Sequence, residues 1–202
     1  FAADGPYGSY ESDTLENYEI GSKNTLLDGR LTLNATYYHM IWNEIQIQTE
    51  DPQPAFFATG ILNFPQATID GVEADFSWAA AESITLNGSL GYNDAALSET
   101  ATLWPGTDSE RTAPDGTRLP LMPKWKYSLT GRFDFDATLW NANPSFLTTW
   151  TYNGDSLNSL AGIQGSINQA GVRVTPSYNI VDFRIGLDGD GRAAGGLDPV
   201  AG

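Results

Sequence analysis

The chain has 202 residues, with 25 Asp and Glu against 10 Lys and Arg, a formal net charge of −15, one histidine and no cysteine. This balance argues against nucleic acid as a partner, because phosphate binding needs a basic surface. The missing cysteines exclude disulfides and thiolate metal sites, and a lone His39 excludes a multi-histidine metal centre or a pair of histidine acid–base catalysts; a single histidine within a strand is read as structural.

No run approaches the roughly 18 apolar residues of a transmembrane helix. The opening FAADGPYGSY has neither the basic start nor the apolar stretch of a signal peptide. A β-barrel escapes both filters, because its spans alternate and never look apolar as a whole.

Helical periodicity is scarce and period-two segments recur. A first strand is predicted over Leu15–Lys23. A turn with Asp28-Gly29 at its tip leads to a second over Arg30–Thr49, with Leu31, Leu33, Ala35 and Tyr37 on one face and Thr32, Asn34, Thr36 and Tyr38 on the other. A third, Ile61–Ala80, sets Val72, Ala74, Phe76 and Trp78 against Gly71, Glu73, Asp75 and Ser77. A fourth, Ser83–Ala95, sets Ile84, Leu86, Leu90 and Tyr92 against Thr85, Asn87, Ser89 and Asn93. A fifth, Met122–Asp136, sets Trp125, Tyr127, Leu129, Phe133 and Phe135 against Lys126, Ser128, Thr130, Arg132 and Asp134. A sixth covers Pro144–Asn153 and a seventh Thr175–Asp188.

The connections alternate in length. Short ones fall near residues 24–30, 80–83 and 136–143, and long ones near 49–60, 95–121 and 153–175. An up-and-down antiparallel meander of about seven long strands, with short turns at one end, is the pattern of an outer-membrane barrel. Two groups of aromatic residues fit two bilayer interfaces. Tyr37, Trp42, Tyr92, Trp125, Tyr127, Trp150 and Tyr152 fall toward the long-connection end, and Trp78, Phe133, Phe135 and Phe146 toward the other. A soluble β-sandwich also alternates, but its strands usually run about 5–6 residues, and these are far longer. On the barrel reading the apolar faces meet lipid and the polar faces line the interior.

LENYEIGSK, with Glu16, Tyr18, Glu19, Gly21 and Lys23, resembles the stretch that introduces a late barrel strand in TonB-dependent outer-membrane receptors. Leu33–Gln48 is similar to the strand that follows there. Ile69–Ala95, with Gly71-Val72-Glu73, a tight turn and a closing Tyr92 and Asp94, is the strongest likeness. GTRLPLMPKWKYSLTGRFDF and SYNIVDFRIGL resemble a later loop-to-strand entry and the penultimate strand. The resemblance implies a 22-stranded barrel around an N-terminal plug, of which residues 1–187 would supply about strands 15–21 and residues 188–202 an irregular, truncated or frame-altered tail. It further implies active uptake of a scarce nutrient, an iron–siderophore chelate first, across the bacterial outer membrane and driven by TonB. The plug and the segment that engages TonB would lie outside this chain, and outer-membrane lipid would surround it. A passive porin-like channel and a soluble secreted all-β binding module are the alternatives.

Candidate site residues follow from the same pattern. Glu73, Asp75, Lys126 and Arg132 are expected on the lumen side, facing the plug. Trp104, Asp108, Glu110 and Arg111, on the long 95–121 connection, are expected to contact ligand, since loops on a rigid scaffold carry recognition. Asp188-Gly189-Asp190-Gly191 lacks the later ligands of a calcium loop, so no metal site or cofactor is assigned. No nucleophile motif, phosphate loop or dinucleotide fingerprint occurs, and no catalytic residue is assigned.

Overall fold

The computed structural model describes residues 10–50, 59–103, 110–140, 142–158, 160 and 174–189. Its strands, in chain order, are β1 (Thr14–Leu26), β2 (Leu31–Glu50), β3 (Thr59–Ala81), β4 (Ile84–Leu97), β5 (Ala101–Leu103), β6 (Arg111–Ala113), β7 (Trp125–Asp134), β8 (Ala142–Asn153), β9 (Ser156–Leu157), β10 (Val174–Thr175) and β11 (Tyr178–Gly189). Seven of them form one antiparallel sheet in the order β1-β2-β3-β4-β7-β8-β11, and β5–β6 and β9–β10 are separate two-stranded ribbons. This is the meander expected from the alternation. β11 continues through Asp188 and Gly189, past the boundary at 187, and the rest of the tail lies outside the described residues.

Residues paired across antiparallel strands share a face, so the register sorts every side chain. One row joins Tyr37, Val72, Tyr92 and Trp125, and another joins Leu33, Phe76, Gly88, Leu129, Trp150 and Val181. Both rows belong to the apolar face. Leu129, Phe133, Val181 and Ile185 are exposed on it, so no second sheet covers them as in a sandwich. Aromatic rings interlock along its long-connection end. Tyr92 and Trp125 lie 4.6 Å apart between centroids, and Tyr127 contacts both Trp150 at 5.1 Å and Tyr152 at 4.7 Å. Trp78, Phe133 and Phe146 occupy the short-turn end.

Trp42 does not join this belt. It pairs with Leu15 and Ala67 on the opposite face, donates to Asp13 Oδ2 at 2.8 Å and packs on the buried core. Its alternation already set it with Thr36 and Tyr38. Only its ring chemistry pointed to the membrane interface.

Crossing a bilayer takes about 9–11 residues per strand, whereas β2 has 20 and β3 has 23. The surplus projects beyond the apolar band, and the buried core sits there. Ile45, Phe64, Ala67, Ile69, Ala95 and Leu97 come from β2, β3 and β4, and Ala101, Ala113, Leu119 and Leu160 come from two of the long connections, 95–121 and 153–175. Full burial of a side chain such as Phe64 or Ile45 contributes about 1.5–3 kcal/mol. The 95–121 connection, expected as loop, therefore holds a ribbon and part of the core.

Within the sheet, Tyr38 lies over Gly71, its ring filling the space a β-carbon there would occupy and its phenol bonding Asn93 Oδ1. A Cβ on Gly71 would collide with Tyr38 Cζ, whereas one on Gly91 would meet nothing nearer than the Lys126 carbonyl at 3.9 Å. Gly71→Ala is expected to destabilise the folded sheet by about 1–3 kcal/mol through overpacking, and Gly91→Ala to leave it nearly unchanged. Urea unfolding of the two variants in detergent, read by loss of heat-modifiable mobility on gels, measures the difference.

Candidate functional site

The polar face presents three successive rows in register. The first joins Gly21, Thr36, Glu73, Gly91, Lys126, Asn153 and Tyr178. The second joins Lys23, Asn34, Asp75, Ser89, Ser128, Thr151 and Ile180, and the third Thr25, Thr32, Ser77, Asn87, Thr130, Thr149 and Asp182. Small hydroxyl and amide side chains dominate, so this wall offers hydrogen bonds along its whole width. The concavity over the first two rows is lined by Glu73, Asp75 and Lys126 among others. Three of the four residues expected to face the interior are thus brought together.

They differ in how their charge is met. Asp75 accepts from Asn34 Nδ2 at 3.0 Å. Glu73 and Lys126 stand on either side of Gly91 in the same row, and among the described residues neither makes an ion pair. Arg132 lies nearer the short-turn end. It donates from Nε to Asp134 Oδ1 at 2.9 Å and from Nη2 to Asp188 Oδ2 at 2.8 Å. Its charge is neutralised by its own sheet, across the intervening strand β8.

At the other end of the apolar face, Asp70 and Asp94 are directly paired in register. Two like charges opposite each other are unfavourable, and each has its own compensation. Asp70 lies 2.9 Å from His39 Nδ1 and accepts from the Tyr37 hydroxyl at 2.7 Å, while Asp94 lies 2.6 Å from Lys124 Nζ. His39 therefore serves the sheet, as its position in a strand implied.

Of the residues expected to contact ligand, Trp104 and Asp108 lie outside the described residues. Glu110 is exposed, and Arg111 opens β6 opposite Leu103. The residue that organises this region is Arg118. Its guanidinium donates to Asp155 Oδ2 at 2.8 Å, to the Asp155 carbonyl and to the Met122 carbonyl at 3.1 Å. Arg118 is one loop residue among several in the sequence, and its partner lies 37 residues away; no local pattern signals that pairing. The hydrogen bond from Arg118, and then its charge, hold the Asp155 carboxyl below the usual carboxylate range. Among the described residues, no group of three or more His, Cys, Asp or Glu converges as a metal site would.

One antiparallel meander, banded with aromatic rings on one face and polar on the other, with short turns at one end and packed extensions at the other, is the wall of a bacterial outer-membrane β-barrel. The chain belongs to the TonB-dependent receptor family, whose sequence profile, described as TonB dependent receptor-like, beta-barrel, matches residues 2–197. It is 26% identical over 179 residues to the metal-pseudopaline receptor CntO of Pseudomonas aeruginosa, covering 87% of this chain and 21% of that receptor. The chain therefore spans about a fifth of the length of the curated relatives it matches.

Among solved structures, the pyoverdine outer membrane receptor FpvA from Pseudomonas aeruginosa superposes with a TM-score of 0.57 at 18% identity, covering 88% of this chain and 24% of that one. The FrpB iron transporter from Neisseria meningitidis gives 0.56 at 16% identity, covering 90% and 24%. At these identities the structures share the fold.

The Arg118–Asp155 pairing has a definite pH dependence. A depressed carboxylate contributes stability above the ordinary Asp value of about 3.9 and loses it as pH falls through the lower, folded value. Protection of the Leu119 and Leu121 amides from hydrogen exchange is expected to persist through about pH 5 and to drop only below the ordinary carboxylate range. In Asp155→Asn, protection is expected to be lower than in the parent above that range and free of the acid step. Exchange measured across the acid range by mass spectrometry checks both.

Proposed function

We propose that the whole protein is an energised outer-membrane importer of a chelated metal, with an iron–siderophore complex as the first candidate, and that this chain supplies a sector of its barrel wall. The observation that carries the reading is the polar face. Its hydroxyl-rich rows, and a Glu73 and Lys126 that make no ion pair among the described residues, suit a polypeptide packed inside the barrel better than an open aqueous channel, where mobile ions would serve as well. In barrels of 22 strands the lumen is plugged. On this reading a plug segment brings a basic group to Glu73 and an acidic one to Lys126, with Asp75 and the Arg132 cluster bordering the contact. TonB, engaging the plug from the periplasm, supplies the energy.

The ligand side is the long-connection end. Glu110 and Arg111, with Trp104 and Asp108 between the two ribbon strands, are the proposed contacts there. Support for a chelated metal comes from the relatives, named for metal-pseudopaline, pyoverdine and iron.

The charge assignment is tested in the full-length receptor. Reversing a charge that is paired inside the barrel costs enough to lower energised uptake by more than about tenfold, so Glu73→Lys is expected to do this while Glu73→Gln does less. Uptake is measured with iron as ferric pyoverdine and with pseudopaline-bound metal, and barrel assembly by heat-modifiable mobility in the same membranes. Full uptake of a transported chelate by an assembled Glu73→Lys receptor contradicts the plug contact.

A further inference from the structure

Two of the three long connections, 95–121 and 153–175, pack against the sheet at its ligand end. The first folds back on β4. Gly116 donates to the Leu97 carbonyl at 2.8 Å, Leu97 to that of Thr117 at 2.9 Å and Leu119 to that of Ala95 at 3.0 Å. The second returns to the end of the first and to the start of β7. Leu121 donates to the Leu157 carbonyl at 2.7 Å, and Gly154 to that of Trp125 at 2.8 Å. Gly154 sits so close that a Cβ would lie 2.8 Å from the Trp125 oxygen. Leu160, from the second connection, is buried in the same cluster as Leu97, Ala113 and Leu119, from β4 and the first. Arg118 closes the arrangement, since its single guanidinium joins the Asp155 carboxylate and carbonyl to the Met122 carbonyl.

We infer that the described residues of these two outer segments (95–103, 110–121, 153–158, 160 and 174–175) form one cooperative body fixed to the barrel wall, with Arg118 as its positioning residue, so that the ligand is met by these residues as a rigid wall and not as two independently moving pieces. Elements that share a core and a hydrogen-bond network open together, because breaking either half exposes the other. The inference rests on the proposed function only in taking this end as the ligand's side, and its test needs no ligand.

Hydrogen exchange of the full-length receptor in detergent micelles reads the coupling directly. Losing a charged hydrogen-bond hub is expected to speed exchange at Leu97, Leu119, Leu121 and Gly154 together, by about tenfold or more in Arg118→Ala, with a smaller shift in the same direction for Asp155→Asn. This chain contributes no cysteine, so once any cysteine elsewhere in the receptor is replaced by serine, a Leu121→Cys/Leu157→Cys pair oxidised in the Arg118→Ala background serves as a lock. It is expected to restore slow exchange at Leu97 and Leu119, and reduction to reverse it. The proposal is overturned if Arg118→Ala speeds exchange only after residue 153, or if the lock leaves Leu97 and Leu119 fast. Should Arg118→Ala fail to assemble, Arg118→Lys, which keeps the charge and loses the fork, is measured in the same way, and the same two results overturn the proposal. Loss of uptake with coupling intact counts against the transport reading alone.

Discussion

Hydrocarbon offers no water to a backbone amide, so every peptide group that crosses it must be bonded within the protein. That demand fixes the architecture. Strand must lie beside strand in continuous register, and once Leu31 is set against Trp78, the pairs that follow are set as well. A slip of one residue would send Glu73, Asp75 and Arg132 into lipid and Leu33, Phe76 and Leu129 into the lumen. The same demand explains the exposure of the flanks. Interior residues of the apolar face such as Leu33 and Phe133 are each 38% exposed, whereas Ile20 on β1 and Ile185 on β11 reach 73% and 80%. The flanking strands have a neighbour on one side only, and closing a barrel of this family takes strands beyond these seven.

The distribution of charge on the polar face has a physical order. Toward the short turns, Arg132 is paired with both Asp134 and Asp188. Midway, Glu73 and Lys126 flank the Gly91 position of one row, and among the described residues neither makes an ion pair. At the far edge of the apolar face, Asp70 accepts from the Tyr37 hydroxyl of β2, and Asp94 pairs with Lys124, just before β7.

The sequence made the sheet legible because the membrane imposes one rule over the whole span. Period-two alternation identified all seven strands and the faces of Leu33, Glu73, Lys126 and Phe133. It failed where the rule changes. Thr32, Asn34 and Thr36 are polar on the same face where Met40 and Trp42 turn apolar, because above the bilayer that face is covered by protein instead of by the lumen. Nothing local marks the change, so Trp42 looked like an interface ring and the 95–121 segment like a loop. The site divided in the same way. Strand parity alone put Glu73, Asp75 and Lys126 on the polar face, where the register has them. Arg118 was not, because its meaning lies in a contact with Asp155 that no periodicity encodes.

The choice of arginine at that contact follows from the geometry it serves. Three acceptors converge there from two chain segments: a carboxylate oxygen and a carbonyl of Asp155, and the carbonyl of Met122. An ammonium group is a single point that must sit within reach of all three, whereas a guanidinium spreads five donors over a rigid plane. Its planar fork also loses less freedom for each bond it makes. A carbonyl cannot be protonated away near neutrality, so two of the three bonds persist whatever the state of the carboxylate. The joint between the two outer segments therefore depends on shape as much as on charge. Thr117 and Leu119, the chain neighbours of Arg118, are both buried, and their burial anchors the backbone that carries the fork to the core the two segments share.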